Sequence, residues 1–146
     1  MNIQPDFEEL LRLLEKHDVR YLIVGGYAVA FHGYPRFTKD IDIFYSNSTE
    51  NVQAILKALK DFGFTDKELS AANFLEKGSI ITFGIEPVRV DMINAITGVE
   101  FEEAWENRVC GKYGKTEAQF IGMRELMINQ SSTHRSQDLA DYEKLK

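Results

Sequence analysis

Two aspartates separated by one residue, in Asp40-Ile41-Asp42-Ile43, and a glycine pair, Gly25-Gly26, are the residues of this chain best suited to chemistry. Side chains alternate along a β-strand, so both carboxylates aim at one point while the isoleucines face the other way. Carboxylates held together on so apolar a strand are costly unless something positive sits between them. A glycine pair after a strand lets the backbone approach a phosphate, and the start of the following helix adds unpaired N–H groups. The two features together point to a metal ion and a phosphate in one place.

Thirteen residues separate Val24-Gly25-Gly26 from Asp40-Ile41-Asp42-Ile43. This spacing resembles the signature of the DNA polymerase beta-like nucleotidyltransferase superfamily. The run from Gly25 to Asp42, with Tyr34-Pro35-Arg36-Phe37-Thr38-Lys39 inside it, is similar to the smaller bacterial members, including the AbiEii toxin-like branch. The likeness continues through Val90-Asp91-Met92, Phe101-Glu102-Glu103-Ala104-Trp105 and Arg135-Ser136-Gln137-Asp138-Leu139-Ala140-Asp141.

The resemblance implies an α/β (α+β) nucleotidyltransferase fold, a mixed sheet of four or five strands covered by helices. It implies an enzyme that moves a nucleoside monophosphate from a nucleoside triphosphate such as ATP to an acceptor hydroxyl. The acceptor, whether a small molecule, a protein or tRNA, is not written in the sequence. The fold needs a third acid on a later strand, and Asp91 supplies it, with Glu86 beside Pro87 as the weaker alternative.

Asp40, Asp42 and Asp91 make an oxygen-only set suited to Mg²⁺, with Mn²⁺ as an alternative, and to two ions in in-line phosphoryl transfer. Asp91 is also a candidate base for the acceptor hydroxyl. Gly25 and Gly26 are expected to offer N–H groups to the phosphates. Arg36, Thr38 and Lys39 precede the first acid as further nucleotide-binding candidates, although alternation forbids all three facing the site; Arg36 is favoured, and Lys39 reads equally well as a solvated loop residue.

The tail departs from the pattern. Relatives often carry Asn-Lys and then Arg-x-Lys-Asp, whereas this chain has Asn129-Gln130 and Arg135-Ser136-Gln137-Asp138. Two charges suited to a triphosphate are absent, which keeps open a second reading: a weak or inactive binding partner with the same fold, such as a toxin-antitoxin component. Arg135 and Asp138 are read as a pair on a helix.

The elements that must hold these residues follow from hydrophobic spacing. Helices are expected over Pro5 to His17, Gly26 to His32, Glu50 to Phe62, Gly98 to Asn107, Arg124 to Gln130 and Ser136 to Leu145. Strands are expected over Arg20 to Val24, Lys39 to Tyr45, Ser79 to Ile85, Val88 to Ile93 and Lys115 to Ile121. Asp66 to Lys77 is ambiguous between a loop and a short helix.

With 146 residues, 44% hydrophobic and 27% charged, the chain suits a single domain over 1–146. No apolar run is long enough for a membrane span and the first residues do not resemble a signal peptide, so a cytoplasmic location is expected. The net charge of −6 argues against general affinity for nucleic acids, leaving Arg20, Arg36 and Lys39 as a candidate local basic patch. His17, His32 and His134 lack metal-ligand spacing, His32 reads as helix packing, and Cys110 stands alone and is read as inert.

Overall fold

The computed structural model describes residues 3–34, 38–85, 88–133 and 136–145. The first helix, α1 (Pro5–Lys16), begins with a proline where no intrahelical N–H is needed. Asp6 and Glu8 lie in its first turn, where negative charge suits the helix dipole. Its Phe7, Leu10, Leu11, Leu13 and Leu14 are all buried.

Then come β1 (Tyr21–Val24), α2 (Gly25–Phe31), β2 (Asp40–Tyr45), α3 (Thr49–Phe62) and α4 (Ala71–Leu75). The chain continues with β3 (Ile80–Ile85), β4 (Val88–Ile93), α5 (Phe101–Glu106), β5 (Val109–Tyr113), β6 (Thr116–Phe120), α6 (Met123–Ser132) and α7 (Ser136–Leu145). Ser48 caps α3 by accepting from the Asn51 N–H, and Gly63, at φ 125°, ends it.

The strands form one mixed sheet in the order β3-β4-β2-β1-β6-β5. At its centre β1 and β2 are antiparallel, β4 runs parallel to β2, and β6 runs parallel to β1. The flanking pairs β3–β4 and β5–β6 are antiparallel hairpins. Every residue of β1 is buried, as a central strand covered on both faces requires.

Alternation sorts the side chains into two apolar layers. One face carries Ile23, Ile41, Ile43, Val90 and Met92 into a core shared with α1 and α3. The other carries Leu22, Val24 and Phe44 against Ala104 of α5, Leu126 of α6 and Leu145 of α7. Asp40, Asp42 and Asp91 share the parity of this second face.

Among the described residues six strands form where four or five were expected. The addition is β5, whose residues are mostly exposed apart from Tyr113, so an edge strand leaves no apolar alternation to read. Lys115 lies in the turn after Gly114 (φ 62°), not in a strand. The ambiguous stretch contains a helix only at Ala71–Leu75, started by Ser70 accepting from the Asn73 N–H. The expected helix from Gly98 begins at Phe101, because Gly98 adopts φ 81° in a turn closed by an Ile96–Val99 bridge. Glu86, Pro87, His134, Arg135 and the side chain of Asp138 lie outside the described residues.

Candidate active site

Strand register builds the site. Asp42 of β2 stands opposite Val24 of β1 on one side and Asp91 of β4 on the other. Asp91 in turn faces Thr82 of β3, so Val24, Asp42, Asp91 and Thr82 form one row across four strands. Asp40 pairs in the next row with Arg89. Residues in such rows on one face stand close enough for their side chains to interact.

Asp91 is held from two directions. Thr82 Oγ1 donates to its Oδ1 at 2.7 Å. Arg89 donates from Nε to Oδ1 at 3.2 Å and from Nη2 to Oδ2 at 3.0 Å. The same guanidinium reaches Asp40 Oδ2 at 3.8 Å. Burial pushes the Asp91 carboxyl up, but hydrogen bonds from Arg89 and Thr82, the Arg89 charge and a bond to Asp42 outweigh it and leave it below the usual value.

Asp40 differs: its Oδ1 is buried and has no hydrogen-bond partner among the described residues. Buried polar atoms are almost always satisfied, so this oxygen has the character of a ligand atom. Gly25, the first residue of α2, closes the site at φ 67°, and a Cβ placed there would collide with Asp42 Oδ2. Only glycine lets the turn lie so close to this carboxylate. Val24 offers no side-chain cap to α2, so no such cap competes for the N–H groups of its first turn.

Val24, Gly25, Gly26, Asp42 and Asp91 line a cavity of about 380 Å³. Ile80, Ile93 and Ile96 give it an apolar side, and Asn129, Gln130 and Thr133 at the end of α6 face them. None of its described lining residues is Lys or Arg.

The other candidates fall differently. Thr38 Oγ1 donates to the Asp40 backbone carbonyl at 3.1 Å, and Lys39 is exposed. Arg36 lies outside the described residues. Arg20 belongs to no patch with Lys39: it precedes the β1 end that pairs with Tyr45, away from Asp42, and reaches Glu102 at 3.6 Å. His32 Nε2 bonds the Ile121 carbonyl at 2.8 Å, which fits a packing role. Arg89 and Thr82 were not singled out from the sequence, yet Arg89 stands two residues before Asp91, a spacing that puts both on one face.

Oxygen donors alone, one of them orphaned, suit a hard divalent cation. As arranged, no three His, Cys, Asp or Glu side chains among the described residues form a group ready to hold a metal. The bonds from Arg89 to both Asp91 oxygens fit that finding. Asp42 lines the cavity with Asp91, whereas Asp40 is not among its described lining residues and Asp91 is engaged by Arg89.

No curated protein matches the chain significantly. Among solved structures, the lincomycin-bound lincosamide antibiotic adenylyltransferase LnuA matches with a TM-score of 0.58 at 17% identity, over 99% of this chain and 98% of its own. The nucleotidyltransferase-like protein TM1012 of Thermotoga maritima matches with a TM-score of 0.61 at 16% identity, over 98% and 90%. At such identities these likenesses establish the fold, a mixed sheet covered by helices. The model of the family described as "Nucleotidyltransferase of unknown function (DUF6036)" matches residues 3–145, and the chain belongs to that family.

Proposed function

We propose that this protein is a metal-dependent nucleotidyltransferase that moves a nucleoside monophosphate from a nucleoside triphosphate to an acceptor hydroxyl, with release of pyrophosphate. The observation that carries this reading is the row in which Asp42 lies against Asp91 and under Gly25, at the wall of the cavity. Bound Mg²⁺ or Mn²⁺, as a pair of ions, would neutralise phosphate charge and acidify the acceptor hydroxyl. Asp40 and Asp42 would hold the ions, and Asp91 would complete the set.

Asp91 is the group that takes the acceptor proton, since it faces the cavity beside Asp42. The N–H groups of Gly25 and Gly26 bind phosphate oxygens. Arg36 and Lys39 add positive charge near the first acid, and Thr38 shapes the backbone there through its bond to Asp40. Ile80, Ile93 and Ile96 form an apolar wall suited to a base or an acceptor ring.

ATP is the first nucleotide to try, because one structural neighbour is an adenylyltransferase, and a small molecule is the first acceptor class, because that neighbour acts on an antibiotic. A second reading keeps the fold as a binding partner, such as a toxin-antitoxin component of the AbiEii-like branch. It is favoured by Gln130, a buried uncharged residue on the cavity wall, at the position where the pattern that the chain resembles has lysine.

Thermal unfolding with Mg²⁺ and each nucleoside triphosphate in turn separates the two. A nucleotide at about 100 times its dissociation constant should add about 2.7 kcal/mol, visible as a raised midpoint. The rise should vanish in Asp40→Asn/Asp42→Asn. No rise with any nucleotide would sink the enzymatic reading in favour of the binding partner.

A further inference from the structure

Arg89 is placed to compete for the carboxylates that the metal needs. Its position on β4 is set twice over: by alternation it shares a face with Asp91, and by register it stands opposite Asp40. Its planar fork meets both oxygens of Asp91 at 3.2 and 3.0 Å and leans on Asp40 at 3.8 Å. A guanidinium matches a carboxylate in this two-toothed way better than any other cationic side chain.

We infer that Arg89 is a displaceable internal counter-ion, which occupies Asp91 when the site holds no divalent cation and withdraws when Asp91 becomes a ligand. The inference rests on the metal reading proposed above and adds a residue and an order of events to it. Three carboxylates crowded on one sheet face repel one another, and one guanidinium spanning two of them offsets that repulsion in the metal-free protein.

The bond is also built to be released. Arg89 is 41% exposed while Asp91 is 14% exposed, so the arginine can move into water while the acid stays in place. The pair is partly buried and bidentate, so it holds Asp91 while no ion is present, and a divalent ion, with twice the charge, attracts the same carboxylate oxygens more strongly. Once withdrawn, the guanidinium stands beside a cavity whose described lining has no Lys or Arg.

A purely structural arginine would support the sheet without affecting metal affinity; a competitor lowers the apparent affinity by the fraction of molecules it blocks. If Arg89 covers Asp91 in about nine molecules of ten, its removal should tighten binding about tenfold. The measurement is a titration of the full chain with Mn²⁺ alone, free ion being followed by electron paramagnetic resonance, in wild type, Arg89→Met, Arg89→Lys and Asp42→Asn. Arg89→Met is expected to bind Mn²⁺ about tenfold more tightly than wild type, and Arg89→Lys, which keeps the charge but loses the fork, to fall between them.

Equal or weaker Mn²⁺ binding in a folded Arg89→Met protein would overturn the inference. Should that variant not fold, Arg89→Lys decides alone: tighter binding than wild type supports the competitor, and equal or weaker binding overturns it. Loss of Mn²⁺ binding in Asp42→Asn with no change in the arginine variants removes only the role given to Arg89. Binding that survives Asp42→Asn, or its absence from every form, removes the metal reading itself.

Discussion

Gly25 is where residue identity and site geometry meet most directly. Two glycines with positive φ make the comparison: Gly25 at 67°, whose Cβ would strike Asp42, and Gly33 at 102°, whose Cβ would have no described residue within 4 Å. Alanine at Gly33 would meet only the backbone penalty, about 1–2 kcal/mol. Gly25→Ala adds the collision and should cost more, by about 1–3 kcal/mol, in urea denaturation. Because the added methyl pushes on a proposed ligand, it should also abolish the nucleotide-induced rise in midpoint, while Gly33→Ala keeps it. The glycine was legible in the sequence because the chemistry of close approach admits no other residue. Arg89 was not, since a basic residue on a strand has no signature until its neighbours are known.

Elements are held in register by buried polar groups as much as by apolar ones. Asn51 of α3 accepts from the Arg20 N–H at 2.7 Å and donates to the Arg20 and Ser46 carbonyls at 3.0 and 2.7 Å. It thus clamps the chain just before β1 to the chain just after β2, fixing the pairing that brings Val24 to Asp42. Asn51→Ala removes the partner of the Arg20 N–H and the Ser46 carbonyl, while the Arg20 carbonyl keeps the Ser46 N–H, and should cost about 1–3 kcal/mol in chemical denaturation. Tyrosines act similarly: Tyr45 donates to the Phe74 carbonyl at 2.9 Å, and Tyr113 accepts from the Gln4 N–H at 2.9 Å. Burial pushes the hydroxyls of Tyr21, Tyr27, Tyr45 and Tyr113 above their ordinary value. In the unfolded chain they ionise near pH 10. A raised folded value means their contribution is fully present below about pH 10 and is lost as pH rises further. Thermal midpoints should therefore fall on the alkaline side, and phenolate absorbance should show these four of the six tyrosines ionising late in the native protein.

Across the whole molecule, one sheet divides two apolar layers, and neither layer can be formed without the other face of the same strands. Leu14 and Leu126 are fully buried in the opposite layers. Leu14→Ala and Leu126→Ala should each destabilise by about 2–5 kcal/mol. Since the strands are shared, both variants should unfold in a single transition that coincides by far-UV and near-UV circular dichroism; separated transitions would show that the layers fold independently. The acids sit on the α5–α6–α7 face, where the apolar layer gives way to the cavity between the β4 end and α6. No helix among the described residues is long and apolar enough to cross a membrane.

What the sequence determined by itself was local: the acidic pair on one face, the glycine turn, and the strands and helices whose apolar spacing is strong. Alternation and helical periodicity act over a few residues, so these features survive without knowledge of the rest of the fold. The six-strand order, the short α4 and the edge strand β5 were decided by tertiary pairing, because exposed or brief elements carry little periodicity. Tertiary structure alone also decided which residue stands beside which: Asp42 opposite Asp91, Arg89 opposite Asp40, and Arg20 just before the remote end of β1. Register is a relation between distant segments, set by which faces are buried together, and that relation turns separate acids into a candidate active site.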